Sequence, residues 1–494
     1  MDSVSSSSHP PRSPQPSNSC QTIIANSGVK FGTSGARGLV TDFTSEVCYA
    51  FALAFLSSIQ SRFTFTTVAF AIDNRPSSPA MATACIQAAH DLGLATEYYG
   101  VCPTPALAFV AMQDQQPCIM ITGSHIPFDR NGLKFYRPDG EITKIDEQGI
   151  LHSQAHIPAT MTIAPLPDAN PNGAARYVKR VTDVFSPALL NGKKIGIFEH
   201  SSAGRDIYQG LFEALGAEVV ALERTDTFVP IDTEAVGDED KQKALAWSAE
   251  YGFDMIYSTD GDGDRPLLSD EHGHWLRGDI VGLLTAQALG IQALAVPVSC
   301  NTAIEASGYF TAVSRTQIGS PYVIAAFPAL REHYHAIAGF EANGGFLLGS
   351  DITLNDTVIH ALPTRDALLP AIMLLSLSIE QRCDISALVA NLPQRFTESD
   401  RIQNFATQDS QALLARLAID PTSLLTAMGV TESVTAQNTI DGLRLTLSNG
   451  DIVHLRPSGN APELRCYAES HDSQSARQLV TSALACIPHL PCGN

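Results

Sequence analysis

Short apolar runs recur along the chain, and each gives way to a polar loop. "TTVAFAIDNRPSS" stands before "PAMATACIQAAHDLG", "KKIGIFEHSSAG" before "RDIYQGLFEALGA", and "CIMITGSH" forms a third such run. The runs predict buried strands, and the segments after the first and third strand-like runs along the chain carry apolar residues at helical spacing. This alternation predicts βαβ units around a mostly parallel sheet, where ligands sit at the carboxyl ends of strands. The polar loops are therefore the places to look for chemistry.

The pattern divides the chain. A Ser/Pro-rich stretch, residues 1–20, lacks the apolar core of a secretory signal and is expected to be a flexible tail. Three α/β blocks follow, at 21–180, 181–289 and 290–392, the third with the helix-like "DALLPAIMLLSLSIEQ". From 393 to 494 the pattern turns to alternating segments with an Asn449-Gly450 hairpin signal, an α+β block. The expected fold is thus three similar α/β mixed-sheet domains and a smaller C-terminal α+β domain.

Composition narrows the function. A length of 494 residues suits several domains, and a formal charge of −20 argues against nucleic acid or an anionic membrane as partner. Any anion-binding charge must be local. No run is long and apolar enough to span a bilayer, and ten scattered cysteines without metal-like spacing are expected to be reduced thiols, so a cytoplasmic location is expected.

In "YSTDGDGDRPLL" three carboxylates alternate with glycines after an apolar run, so Asp260, Asp262 and Asp264 can converge as hard oxygen ligands for Mg²⁺ or Ca²⁺. An EF-hand is excluded, because its sixth and seventh positions would be Arg265 and Pro266 and the preceding segment reads as a strand. A solvated acidic turn is the plain alternative. Ser124 follows the strand-like "CIMIT"; serines in loops commonly close turns, but one beside a metal could carry a phosphoryl group if cations offset the charge. Arg37 in "FGTSGARG", Lys134 in "NGLKFY" and Arg265 are loop cations that could do so, although each could equally be solvated. Lys134 and His125 are candidate proton carriers, with His125 also suited to orienting the loop. "LRPSGNAPELR" offers Arg456, Ser458, Gly459 and Asn460 as a phosphate cradle, and "GFEANGGFLLGSD" offers Glu341 and Asn343 to sugar hydroxyls.

Taken in order, "TSGARG", "TGSHIP" with "NGLK", "DGDGDR", "GFEANGG" and "RPSGNAPELR" resemble the five loops of the α-D-phosphohexomutase family, most closely its bacterial phosphomannomutase branch. The resemblance covers almost all of the chain after the tail. It implies four domains around a central cleft, Ser124 as phosphoserine and additional metal ligand, Mg²⁺ on the three aspartates, and a hexose phosphate substrate activated by a hexose 1,6-bisphosphate. It implies a monomer or homodimer. Phosphoglucomutase and phosphoglucosamine mutase activities are the alternatives, and a metal-dependent sugar phosphatase is a further one. The sequence departs from many relatives at Phe340, Asn343 and Gly345 in the sugar loop, at Asn460 and Ala461 in the phosphate loop, and at Ser320.

Overall fold

A computed structural model describes residues 18–32, 35–458 and 462–490. Ser19 bridges to His156, and Cys20 is buried at the start of the helix Cys20–Asn26. The end of the stretch read as tail is thus part of the first domain; its residues 1–17 lie outside the described residues, as do Gly459 and Asn460.

The first sheet has seven strands, in the order Lys30–Gly32, Gly35–Leu39, Arg130–Arg137, Cys118–Ile121, Thr67–Ile72 and Ala95–Val101, with Gly140–Glu141 added on Arg130–Arg137. Thr67–Ile72 runs parallel to both neighbours, whereas Arg130–Arg137 is antiparallel to both of its own. Helices Ser45–Ile59 and Ser78–Asp91 pack together within one apolar cluster, and Thr104–Gln113 with Asn172–Thr182 belongs to another.

The second sheet orders Pro266–Leu268, Met255–Thr259, Lys194–His200 and Glu218–Arg224; the third orders Ala312–Thr316, Ala293–Pro297, Ile337–Phe340, Phe346–Leu348 and Leu362–Asp366. In both, a parallel core is edged by antiparallel strands, so the sheets are mixed, as expected for these α/β domains. The added strands are short returns after a polar loop, which require no crossover helix. The last sheet is wholly antiparallel, with the hairpin between Leu443–Leu447 and Ile452–Pro457 where Asn449-Gly450 predicts it and Gly450 at φ +84°.

One boundary moves. Helix Gly278–Ala288 packs on strand Ile337–Phe340 and on helix Leu368–Gln381, so by packing it belongs with the third sheet and not with the block ending at 289. Gly282 makes this possible, since a Cβ there would overlap the Phe340 ring.

The consequence for function is common to three sheets. Strands Cys118–Ile121, Met255–Thr259 and Ile337–Phe340 each run into a polar loop that carries Ser124, Asp260 and Glu341 respectively.

Candidate active site

Ser124 sits three residues beyond its strand with φ +53°, a left-handed conformation that a serine adopts only when its surroundings enforce it. The enforcement comes from Asp73 and Arg75. Asp73 accepts from Thr122 Oγ1 at 2.8 Å and from Ser78 Oγ at 2.7 Å, and Thr122 Oγ1 in turn accepts from the Ser124 N–H at 2.7 Å. Arg75, 1 % exposed, donates to the carbonyls of Ser124, Ile126, Pro127 and Arg130 and lies 3.8 Å from the centre of the Phe228 ring. The serine loop is therefore wrapped around one guanidinium, which donates to four of its carbonyls.

The Ser124 hydroxyl is 1 % exposed and donates to Asp260 Oδ2 at 2.6 Å. Asp260, Asp262 and Asp264 are all buried, and one oxygen from each lies within 4.8 Å of the others. The loop that brings them together is itself held. Thr104 donates its N–H to the Asp262 carbonyl at 2.9 Å and its hydroxyl to Asp262 Oδ2, and the Asp260 carboxylate receives the N–H groups of Asp264 and Arg265. Asp262 Oδ1 and Asp264 Oδ1 are buried without a hydrogen-bond partner. Three hard oxygen donors, two with an unpartnered buried atom, fit a divalent cation such as Mg²⁺.

Cations surround this cluster. Lys134 Nζ reaches Asp262 at 2.5 Å and Asp264 at 2.6 Å. Arg365 Nε reaches Asp264 Oδ2 at 3.0 Å, and Arg265 Nε lies 3.8 Å from Asp264 and 3.9 Å from Asp260. Burial and the two neighbouring aspartates push the Asp260 carboxyl up, whereas at Asp264 burial is outweighed by Arg365, Lys134 and Arg265, which hold its carboxyl well below the usual range. Arg37 is half-buried; burial and repulsion from Arg265 and Arg365 lower its guanidinium to about 10. The local positive charge that an acidic chain would need for an anionic ligand is thus present.

Two of the expected loop cations lie on strands. Arg37 belongs to Gly35–Leu39 and Lys134 to Arg130–Arg137, where it sits opposite Met120. The Gly-Leu-Lys run suggests a turn, but this strand gains ladders on both sides, which fixes it as extended. His125 Nδ1 accepts from Arg265 Nη1 at 2.6 Å and lies 3.3 Å from Ser124 Oγ. Burial, then Arg265 and Arg37, lower the imidazole to about 2, so the ring is neutral and orients Arg265.

The sugar-loop candidates lie against the metal loop. Glu341 accepts from Arg365 Nη1 at 3.1 Å. Asn343 Oδ1 closes the turn by accepting from the Gly345 N–H at 3.0 Å, which leaves its amide NH₂ as the group available to a ligand. Gly344, at φ +89°, brings the loop against Pro266, where a Cβ would stand 3.0 Å from the ring. At the phosphate loop, Arg456 Nε donates to Asp441 at 2.8 Å and the Ser458 N–H donates to the Glu463 carbonyl at 2.8 Å.

Asp73, Arg75, Thr104 and Arg365 were not singled out from sequence. The available signals were a charged pair immediately after an apolar strand in "AIDNRP" and another at a strand-to-helix junction in "PTRDALLP".

Sequence and structural relatives agree with this geometry. Models of the phosphoglucomutase/phosphomannomutase α/β/α domain I, α/β/α domain III and C-terminal domain match residues 28–158, 277–396 and 400–485. The chain belongs to the phosphoglucomutase/phosphomannomutase family, the α-D-phosphohexomutases. It is 55 % identical over 470 residues to a phosphomannomutase of Salmonella muenchen, covering 94 % of this chain and 97 % of the relative. It is 41 % identical to a phosphomannomutase of Sinorhizobium fredii, covering 93 % and 99 %. A phosphoglucomutase/phosphomannomutase family protein of Burkholderia thailandensis shares the fold with a TM-score of 0.73 at 20 % identity, over 94 % of this chain and 98 % of that one. The four-domain fold is that of the family, and the chain is an isomerase of the phosphohexomutase type with an acidic triad suited to a metal. Among the described residues no helix is long and apolar enough to cross a membrane.

Proposed function

We propose that the protein is a phosphomannomutase, which interconverts mannose 6-phosphate and mannose 1-phosphate through a phosphoserine at Ser124 and a bisphosphorylated sugar. The observation that carries the covalent part is the Ser124 hydroxyl, buried and hydrogen-bonded at 2.6 Å to one member of a convergent aspartate triad ringed by cations. The choice of sugar rests on 55 % identity to a phosphomannomutase along nearly the whole of both chains.

In this reading a free hydroxyl of the hexose phosphate forms a new P–O bond as the bond between phosphorus and Ser124 Oγ breaks. The hydroxyl proton leaves to a side chain of the site. Lys134, held by Asp262 and Asp264, and His125, held at Nδ1 by Arg265, are the two candidates, and either must give up a standing contact to take it. The bisphosphate then turns over and returns its other phosphate to Ser124, so no nucleotide is consumed. Asp260, Asp262, Asp264 and Ser124 would hold Mg²⁺, which supplies charge neutralisation beside the transferred group. Arg265, Arg37 and Lys134 add the cationic field, Glu341 and the Asn343 amide would read ring hydroxyls, and Arg456 with Ser458, Gly459 and Asn460 would hold the other phosphate. Burial of Ser124 keeps water from the phosphoryl group, which is what separates a mutase from a phosphatase with the same residues.

The test is product and substrate. Purified protein with Mg²⁺ and glucose 1,6-bisphosphate is assayed on mannose 1-phosphate, glucose 1-phosphate and glucosamine 1-phosphate, with inorganic phosphate measured in parallel. The highest kcat/KM is expected for mannose 1-phosphate. Phosphate release without isomer would overturn the reading, and preference for glucosamine 1-phosphate would move the protein toward phosphoglucosamine mutases, to which it is 25 % identical.

A further inference from the structure

Arg365 is a large charged side chain, 1 % exposed, at the end of strand Leu362–Asp366. Its Nε donates to Asp264 of the metal loop at 3.0 Å, and its Nη1 donates to Glu341 of the sugar loop at 3.1 Å and to Ser320 Oγ at 3.0 Å. Ser320 passes the contact on, donating to Glu141 of the first domain at 3.0 Å. One planar guanidinium thus meets the second and third domains directly and the first through a hydroxyl. The backbone that carries it is clamped, since the adjacent Asp366 accepts from Tyr177 at 2.6 Å and Arg180 at 2.9 Å and from the N–H of Leu368 that opens the next helix.

A second observation points to the same residue. Gly345 does not lie in the left-handed region, so its backbone does not demand glycine. A Cβ at Gly345 would instead overlap the aliphatic stem of Arg365. The bare position is steric, and Arg365 fills the space it leaves.

We propose that Arg365 is a positioning residue that couples the metal loop to the sugar loop, holding Glu341 where sugar hydroxyls must meet it and pinning Asp264 beside Ser124. This rests on the mutase reading above. A sugar that binds in two orientations must exchange the hydroxyls facing Glu341, and between those events a buried carboxylate without a standing partner would be costly. Arg365 supplies that partner and, through the same guanidinium, ties it to the metal loop.

Three variants separate positioning from mere support. Arg365→Lys keeps the charge but loses the planar fork, so KM for the hexose phosphate should rise roughly tenfold with kcat changed less and Mn²⁺ affinity within about twofold of wild type. Arg365→Met removes a positive charge beside the triad, so KM rises similarly while Mn²⁺, followed by its electron paramagnetic resonance signal in protein without substrate, binds roughly threefold or more tightly. Gly345→Ala displaces Arg365 without changing any charge and should raise KM like Arg365→Lys. If Arg365→Met does not fold, the other two carry the test. KM within about twofold of wild type in both Arg365→Lys and Gly345→Ala would overturn the role while leaving the mutase reading intact. A wild-type protein inactive on every hexose phosphate would overturn the mutase reading instead, and the Mn²⁺ titration of Arg365→Met would then decide the coupling to the metal loop by itself.

Discussion

The two ends of the site are built differently. At the serine and metal end, Ser124, Lys134, Asp260, Asp262, Asp264 and Arg365 come from three domains and are interlocked, with Lys134 bridging two carboxylates and Arg365 two loops. At the phosphate end, Arg456 and Ser458 lie at one end of an antiparallel sheet, and Arg456 pairs with Asp441 on the neighbouring turn. Mutual neutralisation across domains fixes charges in place but makes each indispensable, because removing one leaves its partner buried and unpaired. A cradle at the end of one strand that is paired on both sides can lose a side chain and keep its fold. Changes at the first end should therefore alter chemistry and stability, and changes at the second should alter binding.

The largest effect is expected from Ser124→Ala, which removes the phosphoryl carrier: kcat should fall by roughly a thousandfold or more, and the thermal midpoint should fall too, because the buried Asp260 carboxylate loses a donor. Steady-state assay and calorimetry of the same preparation check it. Next is Arg75→Met, which takes from four carbonyls and Asp73 the guanidinium they share; denaturant unfolding should lose about 3–5 kcal/mol. A loss under about 1 kcal/mol would mean that the serine loop is held by something else.

Both ends are backed by a neutral buried histidine, and here the comparison predicts similarity. His200 Nε2 donates to the carbonyl of Thr259, just before the metal loop, and His454 Nε2 to that of Asp441, beside Arg456. Burial lowers each imidazole from 6.5 to about 4. The unfolded chain then binds more protons between those values, so stability is fully present above pH 6.5 and is lost as pH falls toward about 4, by about 3 kcal/mol per histidine. His200→Asn, with a residue tolerant of the φ of +31° there, should remove one share of that acid loss in unfolding experiments at pH 7 and pH 4.5.

Smaller still is Arg456→Ala, for which KM should rise roughly ten- to a hundredfold while the denaturation midpoint stays within error. A large loss of stability would erase the contrast between the ends. The smallest effect is expected at Asn343→Ser. The variant removes the amide NH₂ while the oxygen that closes the turn on the Gly345 N–H can be replaced by the serine hydroxyl, so the mannose-to-glucose ratio of kcat/KM should change about two- to tenfold, and an unchanged ratio would leave Asn343 a turn residue only.

Loops that concentrate unusual residues were legible in the sequence. Ser124, the three aspartates, Glu341 and Arg456 stand after apolar runs in polar, glycine-rich stretches, and the structure brings the first five together. Mixed sheets were expected, but which strands run antiparallel was not legible, because a short antiparallel return such as Pro266–Leu268 or Phe346–Leu348 has the same apolar composition as a parallel strand. Arg75 and Arg365 escaped notice because each looks like an ordinary surface charge at a strand end; only the tertiary arrangement buries them. The glycine at position 345 is explained by a residue twenty positions away, which no local pattern reveals.

The central claim is that Ser124 is the phosphoryl carrier. Intact mass and phosphopeptide mapping of the purified chain, before and after incubation with glucose 1,6-bisphosphate, measure this most directly. One phosphoryl group, mapped to Ser124 and lost on incubation with excess hexose monophosphate, is the expected result. Full turnover by a protein that never carries phosphate on Ser124, or by Ser124→Ala, would contradict it.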